Sequence, residues 1–191
     1  MDTHEAITKR RTVRRFEQRP ISEATLEKLV NCARLAPSAA NLQPLEYIIV
    51  NDSGILPEIF STLKWAAYIA PYGDPPQGFR PVAYLIIIVN KGIRDAEYER
   101  DVGASAQNAL LAAWEEGIGA CWMTSIERKK IRAILGIPES HVIDSVIALG
   151  YRAEEPVQEE LTDSVKYWKD DSGRLHVPKR PLKDILHRNG F

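Results

Sequence analysis

The chain has 191 residues, 45% of them hydrophobic and 27% charged, with a formal net charge of -1. That length supports one sizeable core and is short for two domains, so a single domain over residues 1–191 is expected. A near-neutral balance gives no general pull toward nucleic acid or membrane, and neither is expected as a partner. The N-terminal Met1-Asp2-Thr3-His4-Glu5 lacks the basic-then-apolar pattern of a secretory signal, and no apolar run approaches the length of a bilayer span. A cytoplasmic protein is the expectation. Cys32 and Cys121 are far apart, so neither a disulfide framework nor a CxxC motif is supported, and both read as buried thiols.

Asp2 followed by Glu5 marks a helix start, and that helix is expected to run to about Thr12. Its end delivers an unusual patch. From Lys9 to Arg19 the chain carries Lys9, Arg10, Arg11, Arg14, Arg15 and Arg19 against the single acid Glu17, a local excess of five positive charges. Guanidinium forks grip phosphate oxygens bidentately, Arg10 and Arg14 share a face in a helix or tight turn, and the Thr12 hydroxyl adds a donor. Three readings stand open: a phosphate cradle, a solvated basic helix end, and a nucleic-acid patch. The last lacks interleaved aromatics.

Ser22 caps a second helix, with Leu26, Leu29, Val30 and Ala33 at helical spacing and Pro37 as its stop. Ala36-Pro37-Ser38-Ala39-Ala40-Asn41-Leu42-Gln43-Pro44 follows. Its small residues admit a flat ligand to the backbone, while Ser38, Asn41 and Gln43 offer polar groups; an ordinary helix-to-strand turn has the same composition. Tyr47 to Val50 reads as a strand and Leu56 to Tyr68 as a helix. Pro71 to Pro81 reads as a surface loop, either a connection or a lid over a site. Val82 to Val89 is almost continuously apolar, the mark of a strand covered on both faces.

Asp101 to Glu116 is a helix dense in small residues, suited to close packing in the core or at a subunit interface, and the interface is favoured. Ala120 to Thr124 is a strand, Ser125 caps a helix to Leu135 that Gly136 ends, and Val142 to Tyr151 is a buried strand. Strands separated by helices favour parallel or mixed pairing. Residues 153–166 read as an extended excursion. A hairpin then turns at Asp170-Asp171-Ser172-Gly173, and Pro181 opens a last helix with Leu182, Ile185 and Leu186 inward. Lys179 and Arg180 form a second basic pair.

No GxGxxG follows a strand, since Gly117-Ile118-Gly119 stands alone, and no GxxxxGK[ST], HExxH or GxSxG is present. The four histidines show no metal-ligand spacing, and no metal is expected. Residue chemistry alone supplies no reaction; a cofactor would have to.

Taken together, Arg10-Arg11-Thr12-Val13-Arg14, the Ala36 to Pro44 loop, the Gln107-Asn108 helix leading into Gly117-Ile118-Gly119-Ala120, and Pro178-Lys179-Arg180-Pro181-Leu182 resemble the FMN-dependent nitroreductase family. The resemblance implies an α+β three-layer sandwich with a mixed central sheet flanked by helices. It implies a homodimer with two FMN sites at the interface and a C-terminal extension wrapping the partner subunit. By that resemblance Arg10, Arg11, Thr12, Lys179 and Arg180 hold the ribityl phosphate, and Arg14 binds the cofactor and acts as the catalytic guanidinium at the pyrimidine edge. Pro37, Ser38 and Asn41 reach the ring from the other subunit, Gln43 supports their loop, and backbone at Met123 and Thr124 approaches the redox-active edge. Leu45 stands where many members carry Trp, which alters packing below the loop.

The reaction so implied passes hydride from NADH or NADPH through FMN to a nitroaromatic, quinone or similar small aromatic acceptor in ping-pong order. Reductive dehalogenation, flavin fragmentation and a flavin-binding module without turnover are the alternatives. Outside the family stands an interaction protein that uses the arginine patch on an anionic polymer.

Overall fold

A computed structural model describes residues 2–70 and 72–191 of the chain. Four strands, β1 (Leu45–Val50), β2 (Ala83–Asn90), β3 (Ile118–Met123) and β4 (His141–Tyr151), form a sheet in the order β1-β2-β4-β3. All three pairings are antiparallel. The parallel or mixed pairing expected from the helix-interrupted order is therefore corrected for these strands. β2 is indeed buried on both faces, but each of its neighbours returns in the opposite sense. Parallel pairing enters the sheet only as a bridge between Thr12 and Ala120, among the described residues outside the C-terminal extension.

Alternation along β2 builds the two cores. Tyr84, Ile86 and Ile88 enter one apolar cluster, which also takes Ile59 of α3 (Leu56–Phe60) and Ile131 of α5 (Arg128–Leu135). Leu85, Ile87 and Val89 enter the other, with Leu26 and Leu29 of α2 (Glu23–Arg34) and Ala106, Ala109 and Ala113 of α4 (Glu99–Glu115). Helices thus cover both faces, giving the α+β layered sandwich. A fully buried Leu or Ile contributes about 1.5–3 kcal/mol, so this doubly buried strand anchors the fold. The small residues of α4 on this side pack within the chain itself.

Local signals set several element ends. The Ser22 hydroxyl accepts from the Thr25 N–H at 3.2 Å at the start of α2, and Gly136 takes φ 64° at the end of α5. Other expectations are revised. α1 (Thr3–Lys9) ends at Lys9, so the arginines lie on extended chain and Arg10 and Arg14 do not converge through a helical turn. The helix expected over 56–68 stops at Phe60, because Leu63 leaves it to pair with Ile126 and the Lys64 N–H donates to the Ser125 carbonyl at 3.0 Å. Ser125 consequently does not cap α5, whose N-terminal boundary residue is Glu127. Pro71, at the start of the expected loop, lies outside the described residues.

The C-terminal extension forms a second small sheet of β5 (Val157–Glu160), β6 (Trp168–Lys169) and β7 (Leu175–Lys179), in the order β5-β7-β6. β5 pairs parallel and β6 antiparallel to β7, the latter being the expected hairpin. Beyond it, the last helix is reduced to a single 3-10 turn, Leu182–Asp184. Leu182, Ile185 and Leu186 are 68%, 51% and 48% exposed and not inward. Among the described residues no helix is long and apolar enough to cross a membrane.

Candidate cofactor site

The arginine segment is a strap laid across β3 and the end of β4. The Val13 N–H donates to the Ala120 carbonyl at 3.0 Å, the Glu17 N–H to the Tyr151 carbonyl at 2.9 Å, and the Ala153 N–H to the Arg15 carbonyl at 3.0 Å. Val13 and Phe16 point inward and are fully buried. The intervening polar residues are thereby held over the rim of the extension.

There Arg10, Arg11, Thr12 and Arg14 line a depression of about 200 Å³, closed on its far side by Tyr167, Val177 and Lys179. Burial, together with repulsion from Arg11 in the case of Arg10, pulls the Arg10 and Arg11 guanidiniums below the ordinary arginine value. Arg11 donates to the Gln158 side chain, and the Arg14 guanidinium lies 5.0 Å from the Tyr167 ring centroid. The Arg14 backbone N–H donates to Glu154 Oε1 at 2.5 Å. Nε of Arg11 and Nε and Nη1 of Arg14 are buried and find no partner within the chain. A buried unpaired donor costs about 1–3 kcal/mol, and more when charged. This donor set fits an anion with several acceptor oxygens, as a phosphate has. Lys179 joins it as expected, but Arg180 does not. The Arg180 Nη2 donates to the Asp184 carbonyl at 2.9 Å, turned into the tail.

A second depression of about 220 Å³ involves Pro37, Ser38 and Gln43 together with Tyr47, Asp101 and Ser105. The Ser38 hydroxyl donates to Asp101 Oδ2 at 2.6 Å and accepts from the Gln43 N–H at 2.9 Å, while the Ala39 N–H donates to Asp101 Oδ1 at 3.2 Å. Ser38 is thus spent within the loop. Ala40, Asn41 and Gln43 all adopt left-handed backbone, with φ of 52°, 56° and 53°. Three such non-glycine residues in one short loop, with right-handed Leu42 between them, store strain that the buried Asp101 helps to hold. The Asn41 and Gln43 side chains are exposed, and the Asn41 carbonyl accepts from Gln43 Nε2 at 3.2 Å. Met123 is buried at the end of β3, and Thr124 is exposed just beyond it.

Neither depression shares a lining residue with the other. Within one chain the arginine cradle and the Pro37 to Gln43 loop are therefore two separate surfaces. Sequence reasoning missed Asp101, Glu154, Gln158 and Tyr167. Asp101 carried a weak signal, an acid in the first turn of a helix. The other three are brought to the strap only by the fold of the extension.

Residues 7–151 match the model of the nitroreductase family. The chain belongs to that family. A protein of Archaeoglobus fulgidus, whose assigned name pairs NADH dehydrogenase with NAD(P)H nitroreductase, is 32% identical in an alignment of 156 positions that covers 78% of this chain and 84% of that one. An iodotyrosine deiodinase of Haliscomenobacter hydrossis is 28% identical, over 76% of this chain and 77% of its own. A solved structure of an FMN-dependent nitroreductase from Clostridium difficile superposes with a TM-score of 0.69 at 24% identity, covering 98% of this chain and 99% of that one. The fold of this nitroreductase-family chain is thus shared with that structure over 98% of its length.

Proposed function

We propose that this protein is an FMN-dependent oxidoreductase that passes reducing equivalents from NADH or NADPH to a small aromatic acceptor, a nitroaromatic or quinone, in ping-pong order. The observation that carries the reading is the set of buried, unpaired guanidinium donors on Arg11 and Arg14, set in one cradle with Arg10, Thr12 and Lys179. FMN, when bound, supplies a ring that accepts and returns hydride, which no side chain of this protein can do.

Arg10, Arg11, Thr12 and Lys179 hold the ribityl phosphate. Arg14 binds beside them and places positive charge where negative charge develops at the pyrimidine edge; losing one such preorganised donor commonly costs about 3–4 kcal/mol in the transition state. Pro37 and Asn41 contact the ring from the partner subunit of a homodimer, on a loop that Ser38, Gln43 and Asp101 keep rigid. The separation of the two depressions within one chain supports that division between subunits. Backbone at Met123 and Thr124 lines the redox-active edge. One slot serves nicotinamide and acceptor in turn, which accords with the absence of a dinucleotide fingerprint.

The deiodinase relative supports a second reading, reductive removal of a halide at the same site. Anaerobic addition of NADH or NADPH to the FMN-loaded protein tests the first. Bleaching of the oxidised-flavin absorption, followed by its recovery on addition of a quinone or nitroaromatic, is the expected result. Flavin that stays oxidised under excess of both nicotinamides overturns it.

A further inference from the structure

The small C-terminal sheet has two faces of different character. Side chains alternate along a strand, so residues two apart share a face. One face carries Gln158 of β5, Tyr167 at the entrance to β6, and Val177 and Lys179 of β7, the groups that meet the arginine strap. The opposite face carries Glu159, Trp168 and His176, one residue from each strand. His176 Nδ1 lies 3.0 Å from Glu159 Oε2, and its Nε2 lies 3.1 Å from Asp170 Oδ2 in the β6–β7 turn. Trp168 stacks on the imidazole at 4.3 Å between ring centroids and donates its indole N–H to Glu159 Oε1 at 2.7 Å.

Both carboxylates accept only, so an imidazole bonded to both must donate from both nitrogens, which requires its charged form. We infer that His176 is a positioning residue for the cofactor: as an imidazolium it fastens β5 and the β6–β7 turn to β7, and so holds Gln158, Tyr167, Val177 and Lys179 as the outer wall of the phosphate cradle. This rests on the FMN reading above. Loss of the proton leaves one lone pair facing a carboxylate, and one side of the clasp opens.

The charged groups that face His176 are Glu159 from β5 and Asp170 from the turn, while β6 presents the uncharged Trp168. Both partners favour the imidazolium, and the bond to Asp170 is the main reason that the His176 pKa rises above its ordinary value, partly offset by burial. Asp170 is held well below the usual carboxylate range by Ser172 and His176, with the Arg174 N–H contributing. The sign follows. A raised imidazole pKa gives stabilisation that is complete below about 6.5, the unfolded value, and is lost as pH rises through the folded one. The depressed carboxylate gives stabilisation that is lost only in acid.

The test is the FMN dissociation constant of the full-length protein, by flavin fluorescence, from pH 6 to pH 9, for the unaltered chain and for His176→Gln. Both proteins share the phosphate's own titration near pH ~6, so their difference isolates the clasp. Affinity of the unaltered chain should fall by roughly three- to tenfold across one titration above pH ~6.5 that His176→Gln lacks. Trp168 emission, identified by difference from Trp168→Phe, should change with the same midpoint, a reading that needs no substitution at His176. Parallel pH profiles, or a Trp168 transition at another midpoint, overturn the clasp while the FMN reading stands. Absence of FMN binding at every pH overturns both.

Discussion

Gly119 and Gly150 face each other across the β3–β4 ladder, and the space where their side chains would stand is filled by the strap. A Cβ on Gly119 would lie 2.7 Å from the Val13 Cβ, and one on Gly150 would lie 2.7 Å from the Phe16 Cβ. Two missing side chains thus seat the segment that carries the arginines. Alanine at either position must push the strap outward. We expect Gly119→Ala and Gly150→Ala each to cost about 1–3 kcal/mol in urea unfolding, the usual penalty of overpacking. FMN affinity should fall in the same variants, since Arg11 and Arg14 move with Val13 and Phe16.

Arg14→Ala should separate binding from stability. The guanidinium carries two buried nitrogens with no partner in the chain, so its removal relieves a desolvation cost while giving up its contact with the Tyr167 ring. Unfolding of the cofactor-free protein should change by less than about 1 kcal/mol, whereas FMN affinity should fall by roughly ten- to a hundredfold, the worth of one hydrogen bond to a charged group. Isothermal titration and urea melts of the same preparation check both halves.

Much of the fold was legible because its signals are local. The Ser22 cap, the left-handed Gly136, the doubly buried Val82 to Val89 run and the Asp170 to Gly173 turn each depend on a few neighbouring residues, and the structure has them where expected. Pairing sense is not local. The helix expected over 56–68 fails because Leu63 finds Ile126, more than sixty residues away, and an apolar run looks the same whether its neighbours run parallel or antiparallel. The site divides similarly. The arginine patch announced itself through charge density, but Glu154 and Gln158, in the stretch expected to be an extended excursion, and Tyr167, in the first arm of the expected hairpin, are ordinary residues until the extension folds back onto the strap. Arg180 misled by adjacency to Lys179: β7 ends at Lys179, and Arg180, the first residue beyond it, follows the tail.

Asp101 is 4% exposed and holds both the Ser38 hydroxyl and the Ala39 N–H, at the foot of a loop with three left-handed residues. Asp101→Ala strands both donors. We expect a loss of about 1–3 kcal/mol in stability, with faster amide exchange confined to residues 38–43, whereas Asp101→Asn should retain part of it through its remaining carbonyl.

The two thiols should differ in reactivity. Burial pushes the Cys121 thiol up to about 11, against the opposing effect of the Arg14 charge, so it stays protonated and shielded at neutral pH. Cys32 is half-buried at a groove on the α2–α4 side. One thiol per folded chain should react with a disulfide reagent at pH ~8, near the ordinary thiol value, and two once the chain is unfolded. Because the folded Cys121 value lies above the unfolded one, its linkage makes stability fall as pH rises from about 9 toward 11.

The most direct test of the phosphate cradle is a comparison of FMN with riboflavin, which has the same ring and lacks the phosphate. Equilibrium titration of the cofactor-free protein with each should give FMN the tighter binding by at least roughly a hundredfold, because several charge-assisted bonds from Arg10, Arg11 and Lys179 have no counterpart in riboflavin. That preference should collapse in Arg10→Ala and Arg11→Ala. Equal affinity for the two flavins, or binding of neither, would contradict the assignment of the arginine strap and with it the function built upon it.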